Sequence, residues 1–166
     1  MLKHMQIAFD EYGISESKGS IHNKRIVEYF AAAGHSWVKN DETAWCAAFA
    51  GFVLSKAGLP STGKINARSY LDIGKTVKTP KFGDVVIFWR GSKSSWQGHV
   101  AFFITKRNGY IYCLGGNQSD KVNISAYNEN QLLGYRRMAE DTGEPFDINS
   151  LSIEELVTIL LKRLKK

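Results

Sequence analysis

Gly98-His99-Val100-Ala101-Phe102-Phe103-Ile104-Thr105-Lys106-Arg107-Asn108-Gly109-Tyr110-Ile111-Tyr112-Cys113-Leu114 decides the fold class of this chain. His99–Thr105 and Tyr110–Leu114 are rich in β-branched and aromatic residues, which pack well on a pleated surface. Asn108-Gly109 between them supplies the two residues that accept positive φ in a tight hairpin turn. Working outward, Val85–Trp89 reads as another strand, and shorter ones are expected at Lys121–Ser125 and Leu132–Arg137. Upstream the period changes to that of a helix. Leu2, Met5, Gln6 and Phe9 share one face before Gly13, and Ile26, Val27 and Phe30 share another before Gly34. A third helix is expected from Thr43, as N-cap, to Ala57, ended by Gly58-Leu59-Pro60. Helices first and antiparallel strands after make an α+β chain, with N-terminal helices packed on a sheet of about five to six strands.

The 166 residues are 43% hydrophobic and 23% charged, the composition of a folded globular domain with one main core. Two cysteines 67 positions apart exclude a disulfide scaffold and lack the short spacing of a zinc site. No run of about 18 apolar residues suggests a membrane span, and Met1–Gln6 lacks a secretory apolar core. The net charge of +6 is unevenly placed. Residues 1–138 carry 18 Lys and Arg against 10 Asp and Glu, residues 139–155 carry six acids and no base, and the last 11 residues add four bases. The domain boundary is therefore expected at Met138, with an acidic linker at 139–150. The basic surplus points to an anionic partner. Scattered basic residues and no recognised nucleic-acid motif make nucleic acid the least favoured.

Phosphate-binding loops, dinucleotide fingerprints, Gly-x-Ser-x-Gly elbows and His-Glu-x-x-His are all absent. A cysteine and a histidine remain. Cys46 falls in the first turn of the third helix, where the helix dipole and unpaired N–H groups favour thiolate. His99 opens a strand after the loop Gly91–Gly98, so its imidazole can face a helix packed there, pair with a thiolate and protonate a leaving amine. A third group should orient the ring. A two-residue turn at Asn108-Gly109 pairs His99 with Gln118, whereas a bulge at Gly115-Gly116 shifts the register by one and brings Asn117 to it. Both residues stay open for that role. Cys113, between Tyr112 and Leu114 in mid-strand, reads as core. Among the four tryptophans at least two belong to the core, and Trp45 and Trp96, with Arg90, are candidates for lining a substrate groove.

Asp41-Glu42-Thr43-Ala44-Trp45-Cys46-Ala47-Ala48-Phe49, Phe82-Gly83-Asp84-Val85-Val86, Gly98-His99-Val100-Ala101-Phe102, Leu114-Gly115-Gly116-Asn117-Gln118 and Gly134-Tyr135-Arg136-Arg137, in that order, resemble the papain-like NlpC/CHAP superfamily of cell-wall hydrolases, closest to a phage-associated subgroup. The similarity spans about residues 5–138. It implies a papain-like catalytic domain, a nucleophile at Cys46, a general base at His99 and a polar partner at Asn117, with Gln118 in reserve for orientation or the oxyanion. It also implies hydrolysis of an amide bond of peptidoglycan, within the stem peptide or between peptide and sugar, with no metal or cofactor. The protein would be made in the cytoplasm without a signal peptide and act on the bacterial cell wall. Some members of the superfamily hold the imidazole with a Glu where this chain has Gly115. The alternative reading is a non-catalytic module that binds cell wall or glycan on the same fold.

Residues 151–166 form a separate expectation. Ile153, Leu156, Val157, Leu160, Leu161 and Leu164 draw an apolar stripe along an amphipathic helix, with acids at its start and bases at its end. Such a helix docks on the domain, associates with its own copy, or lies on a membrane surface.

Overall fold

Apolar spacing near the N-terminus builds the expected helices. The computed structural model describes residues 1–19 and 21–138; the acidic linker and the C-terminal helix expected from the sequence lie outside the described residues. Helix α1 (Lys3–Asp10) buries Met5, Ala8 and Phe9 together with His4. Helix α2 (Lys24–Ala32) starts at Asn23, whose side chain accepts the Arg25 N–H, and buries Ile26, Tyr29 and Phe30. Helix α3 (Cys46–Ala57) is apolar all round, with every residue from Cys46 to Leu54 buried, so it runs through the interior. Gly58, at φ +79°, ends it in the left-handed conformation.

Helix α3 begins two residues later than its sequence suggests, with its N-cap at Trp45 instead of Thr43. Thr43 does not cap it: the Thr43 N–H and hydroxyl both donate to Asn40 Oδ1, at 2.9 and 2.7 Å, in the turn before the helix. Trp45 takes the N-cap position without a side-chain cap, and Cys46 becomes the first helical residue. A short 3-10 helix at Ala67–Asp72, unforeseen in the sequence, leads into the sheet.

Six strands form one antiparallel sheet: β1 (Lys75–Val77), β2 (Val85–Trp89), β3 (Gly98–Arg107), β4 (Tyr110–Gly115), β5 (Asn123–Asn128) and β6 (Leu132–Arg137). Their spatial order is β1-β6-β2-β3-β4-β5. Strands β2 to β5 form the expected meander, but β6 returns along the far side of β2 and β1 pairs outside it. Both faces of the central strands are covered, so β2 reads as an unbroken apolar run instead of alternating. Val85, Ile87, Val100, Phe102, Ile104 and Leu114 face the helices. Val86, Phe88, Ala101, Phe103, Ile111, Cys113 and Tyr135 form a second, smaller core on the opposite face.

The register of β3 and β4 decides which residue meets His99. Near the turn, Arg107 pairs with Tyr110 and Thr105 with Tyr112, as a two-residue turn requires; beyond it, Phe103 pairs with Cys113 and Phe102 with Leu114. The one-residue shift is thus present, but the bulge sits at Ile104 in β3 and not at the Gly115-Gly116 pair. The glycines serve close approach. A Cβ on Gly116 would stand 2.5 Å from the Trp45 ring and 2.7 Å from Phe49 Cβ, so only glycine lets α3 press against the end of β4.

Candidate active site

Cys46 occupies the first position of α3 and is nearly covered, with 6% of its surface exposed. Burial raises its thiol pKa, opposed by hydrogen bonds from the backbone N–H groups of Val100, Ala47 and Cys46 and by the charge of Arg90. The net shift is upward. The helix N-terminus therefore lends N–H groups to the sulfur, as its position suggests, but desolvation outweighs them and the resting group is a thiol.

His99 alternates with Val100 along β3, so when Val100 points at the helices His99 points away from them. Its ring does not face α3 directly, contrary to the sequence expectation. It lies fully buried on the other face, stacked on Tyr127 at 4.9 Å and 21° and beside Phe88 at 6.5 Å. Cys46 approaches the same strand from the helix side, where the N–H of Val100, the residue after His99, reaches its sulfur. Burial, reinforced by Arg90 and opposed by Gln118, pushes the His99 pKa down to about 3, so the imidazole is neutral.

The orienting amide is that of Gln118. His99 Nε2 lies 3.0 Å from Gln118 Oε1, and the Gln118 amide nitrogen donates to the Asn123 carbonyl at 2.6 Å and to Asn123 Oδ1 at 3.1 Å. Because that nitrogen is committed, the oxygen must face the ring and accept from Nε2–H, leaving a lone pair on Nδ1. The shifted register points His99 toward position 117, yet β4 ends at Gly115 and Asn117 turns the chain with φ +55°. The backbone folds back and Gln118 enters. A Cβ on Gly115 would lie 3.0 Å from Gln118 Oε1, so the glutamine oxygen fills space that a side chain at 115 would claim.

The groove candidates separate. Trp45 is fully buried, packed on Tyr29 and Phe49, with its indole N–H donating to Glu16 Oε1 at 2.8 Å; it is core and cannot line a groove. Trp96 is 75% exposed on the loop before His99. Arg90 is exposed, with Nη2 3.4 Å from His99 Nδ1, and hydrogen-bonds the Tyr127 hydroxyl. Cys113 is buried in the second core, with its thiol 3.5 Å from Gln118 Oε1, and both cysteines are free. Three contributors escaped the sequence reading. Tyr127 stacks on the His99 ring, Asn123 anchors the Gln118 amide, and Arg68 pins the loop before His99 through the carbonyls of Ser92, Lys93 and Gln97. None stands in a motif, since each acts from another element of the chain.

A cysteine at a helix start, a buried histidine on the adjoining strand and an amide fixing the ring bear directly on the resemblance. Residues 37–117 match the CHAP domain. The match begins at Trp37, takes in Cys46 and His99, and ends at Asn117, one residue short of Gln118. No curated protein matches the chain. Among solved structures, one similar chain is described as "similar to lipoprotein, NLP/P60 family" from Staphylococcus aureus, with 16% identity, a TM-score of 0.42, and coverage of 76% of this chain and 46% of that one. This chain thus aligns with under half of that protein. Other residues of the resembling motifs hold structure together. Asp84 accepts both Arg137 Nε and Nη2, at 2.9 and 2.7 Å, clamping the start of β2 to the end of β6. Fully buried Asp41 accepts the N–H groups of Ser17 and Asn23 and the His22 ring, tying the N-terminal segment to the turn before Cys46.

Proposed function

We propose that the protein is a cysteine-dependent hydrolase of peptidoglycan amide bonds. The observation that carries this reading is the tautomer of His99: Gln118 takes Nε2–H and leaves the basic lone pair on Nδ1, where Arg90 now rests, while Cys46 Sγ lies against the N–H of the next residue. The CHAP match over residues 37–117 supports peptidoglycan as the substrate class. Chemistry would begin from a neutral pair. The Cys46 proton passes to His99 Nδ1 as sulfur bonds to the scissile carbonyl carbon and the carbonyl oxygen becomes an oxyanion. The backbone N–H of Cys46 would stabilise that oxygen. Collapse breaks the C–N bond, and His99 gives its proton to the departing amine. Water then loses a proton to His99, attacks the thioester and regenerates the thiol.

Cys46→Ala and His99→Ala are each expected to abolish lysis of purified cell walls while the circular dichroism spectrum is kept. Full lysis by Cys46→Ala would remove the cysteine from the mechanism. One observation favours the second reading, a non-catalytic wall-binding module: burial drives both Cys46 and His99 toward their neutral forms. Such a module would pull down with cell walls equally well as wild type or Cys46→Ala, and would release no fragments.

A further inference from the structure

Arg90 stands where the base must work. Its Nη2 donates toward His99 Nδ1 at 3.4 Å, the one ring nitrogen left with a lone pair once Gln118 has taken Nε2–H. While that contact persists, Nδ1 has no room for the Cys46 proton, and a guanidinium beside it opposes the imidazolium that would form. Yet Arg90 is exposed, on a long flexible side chain, and among the described residues no carboxylate pairs with it. Its charge acts on Cys46, His99 and Tyr127 alike, so an anion captured there lies within electrostatic reach of all three groups. A guanidinium with free N–H groups is built to bind a carboxylate two-pronged, far more strongly than it binds a neutral imidazole edge-on.

We propose that Arg90 recognises a free carboxylate flanking the scissile amide, and that this capture draws the guanidinium off His99 Nδ1 and frees the base. This inference rests on the hydrolase reading and narrows its substrate to peptides carrying an acidic group next to the bond that is cut. A peptide whose flanking carboxyl is amidated would leave Arg90 on the histidine. Recognition and activation are thereby joined in one side chain.

Two experiments test it. The first compares kcat/KM on a stem-type peptide with a free flanking carboxylate and on its carboxamide twin, for wild type, Arg90→Gln and Arg90→Lys. Wild type should prefer the carboxylate by roughly five- to fiftyfold, the range of a charge-assisted pair. Arg90→Gln should bring the ratio near one through its loss on the carboxylate peptide, with Arg90→Lys in between. A wild-type ratio near one, or equal losses on both peptides in Arg90→Gln, overturns the proposal. The second needs no turnover: Cys46 is alkylated by iodoacetate or neutral iodoacetamide, iodide leaves as the S–C bond forms, and the modified peptide is counted by mass spectrometry. Wild type should favour the anionic reagent relative to Arg90→Gln, and equal reagent ratios in the two proteins contradict the inference. If neither peptide is cut but the iodoacetate advantage is present, the hydrolase reading fails and the anion site stands. If peptides are cut with no advantage in either assay, the anion site fails alone.

Discussion

Gln118 holds its oxygen on the His99 ring because its nitrogen is committed elsewhere. The Asn123 carbonyl and side chain take that nitrogen, Asn123 Nδ2 donates back to the Gln118 carbonyl at 2.8 Å, and Gly115 leaves the space empty. Replacing Gln118 with Ala should therefore lower kcat about tenfold to a hundredfold with little change in KM, part of the roughly 10² to 10⁴ that general acid–base catalysis contributes. Asn117→Gly should keep most activity, since φ +55° suits glycine. Steady-state kinetics on one peptide distinguish the two, and the reverse ranking would return the orienting role to Asn117. His99 also carries a stability signature. Its pKa is about 3 in the fold against about 6.5 for a free imidazole, so the unfolded chain takes up the proton first. Its contribution is complete above pH 6.5 and is lost as pH falls toward 3, at no more than about 1.4 kcal/mol per pH unit. Buried His4 acts in the same direction, whereas Asp41, held below 3.8, matters only in stronger acid. Urea midpoints between pH 7 and 4.5 should fall for wild type and fall less for His99→Gln; parallel curves would mean that the ring is not held neutral.

At the scale of elements, the hairpin was legible because Asn108-Gly109 and the flanking apolar runs specify turn and strands by local chemistry. The bulge was legible as a need but not as a place. A glycine pair attracts that assignment, yet Ile104 takes it, because residues on both faces of β3 are buried and a shift in mid-strand keeps Val100, Phe102 and Ile104 toward the helices. Glycines 115 and 116 instead admit neighbours from opposite sides, Gln118 on one face and Trp45 with Phe49 on the other. Gly116→Ala should then cost about 1 to 3 kcal/mol, the usual range for overpacking, read as a lower urea midpoint at unchanged m-value. A neutral result would show that α3 can retreat from β4. Thr43 is a good cap by type, but Asn40 claims its hydroxyl first, and Cys46 comes to stand at the first helical position. Strand β1 and the 3-10 helix carry too few residues for a periodic signal.

For the molecule as a whole, the order of helices and strands was enough to give α+β, while β6 crossing to the far side of β2 is a long-range choice that no local pattern encodes. The basic surplus of residues 1–138 suits an acidic wall polymer, and the same residues contain every group assigned a part in the chemistry. Truncation after Met138 is accordingly expected to leave hydrolysis of soluble peptide within about twofold of the full chain, a change of no more than about 0.4 kcal/mol. A soluble, folded 1–138 fragment without activity would move part of the site into the remaining residues. If Cys46 cuts an amide bond of peptidoglycan, mass analysis of the fragments released from purified walls will identify that bond. Wild type should release fragments whose new ends are one amine and one carboxylate, and Cys46→Ala should release none. Equal release by the two proteins, or fragments with sugar ends and no new amine, would contradict the account.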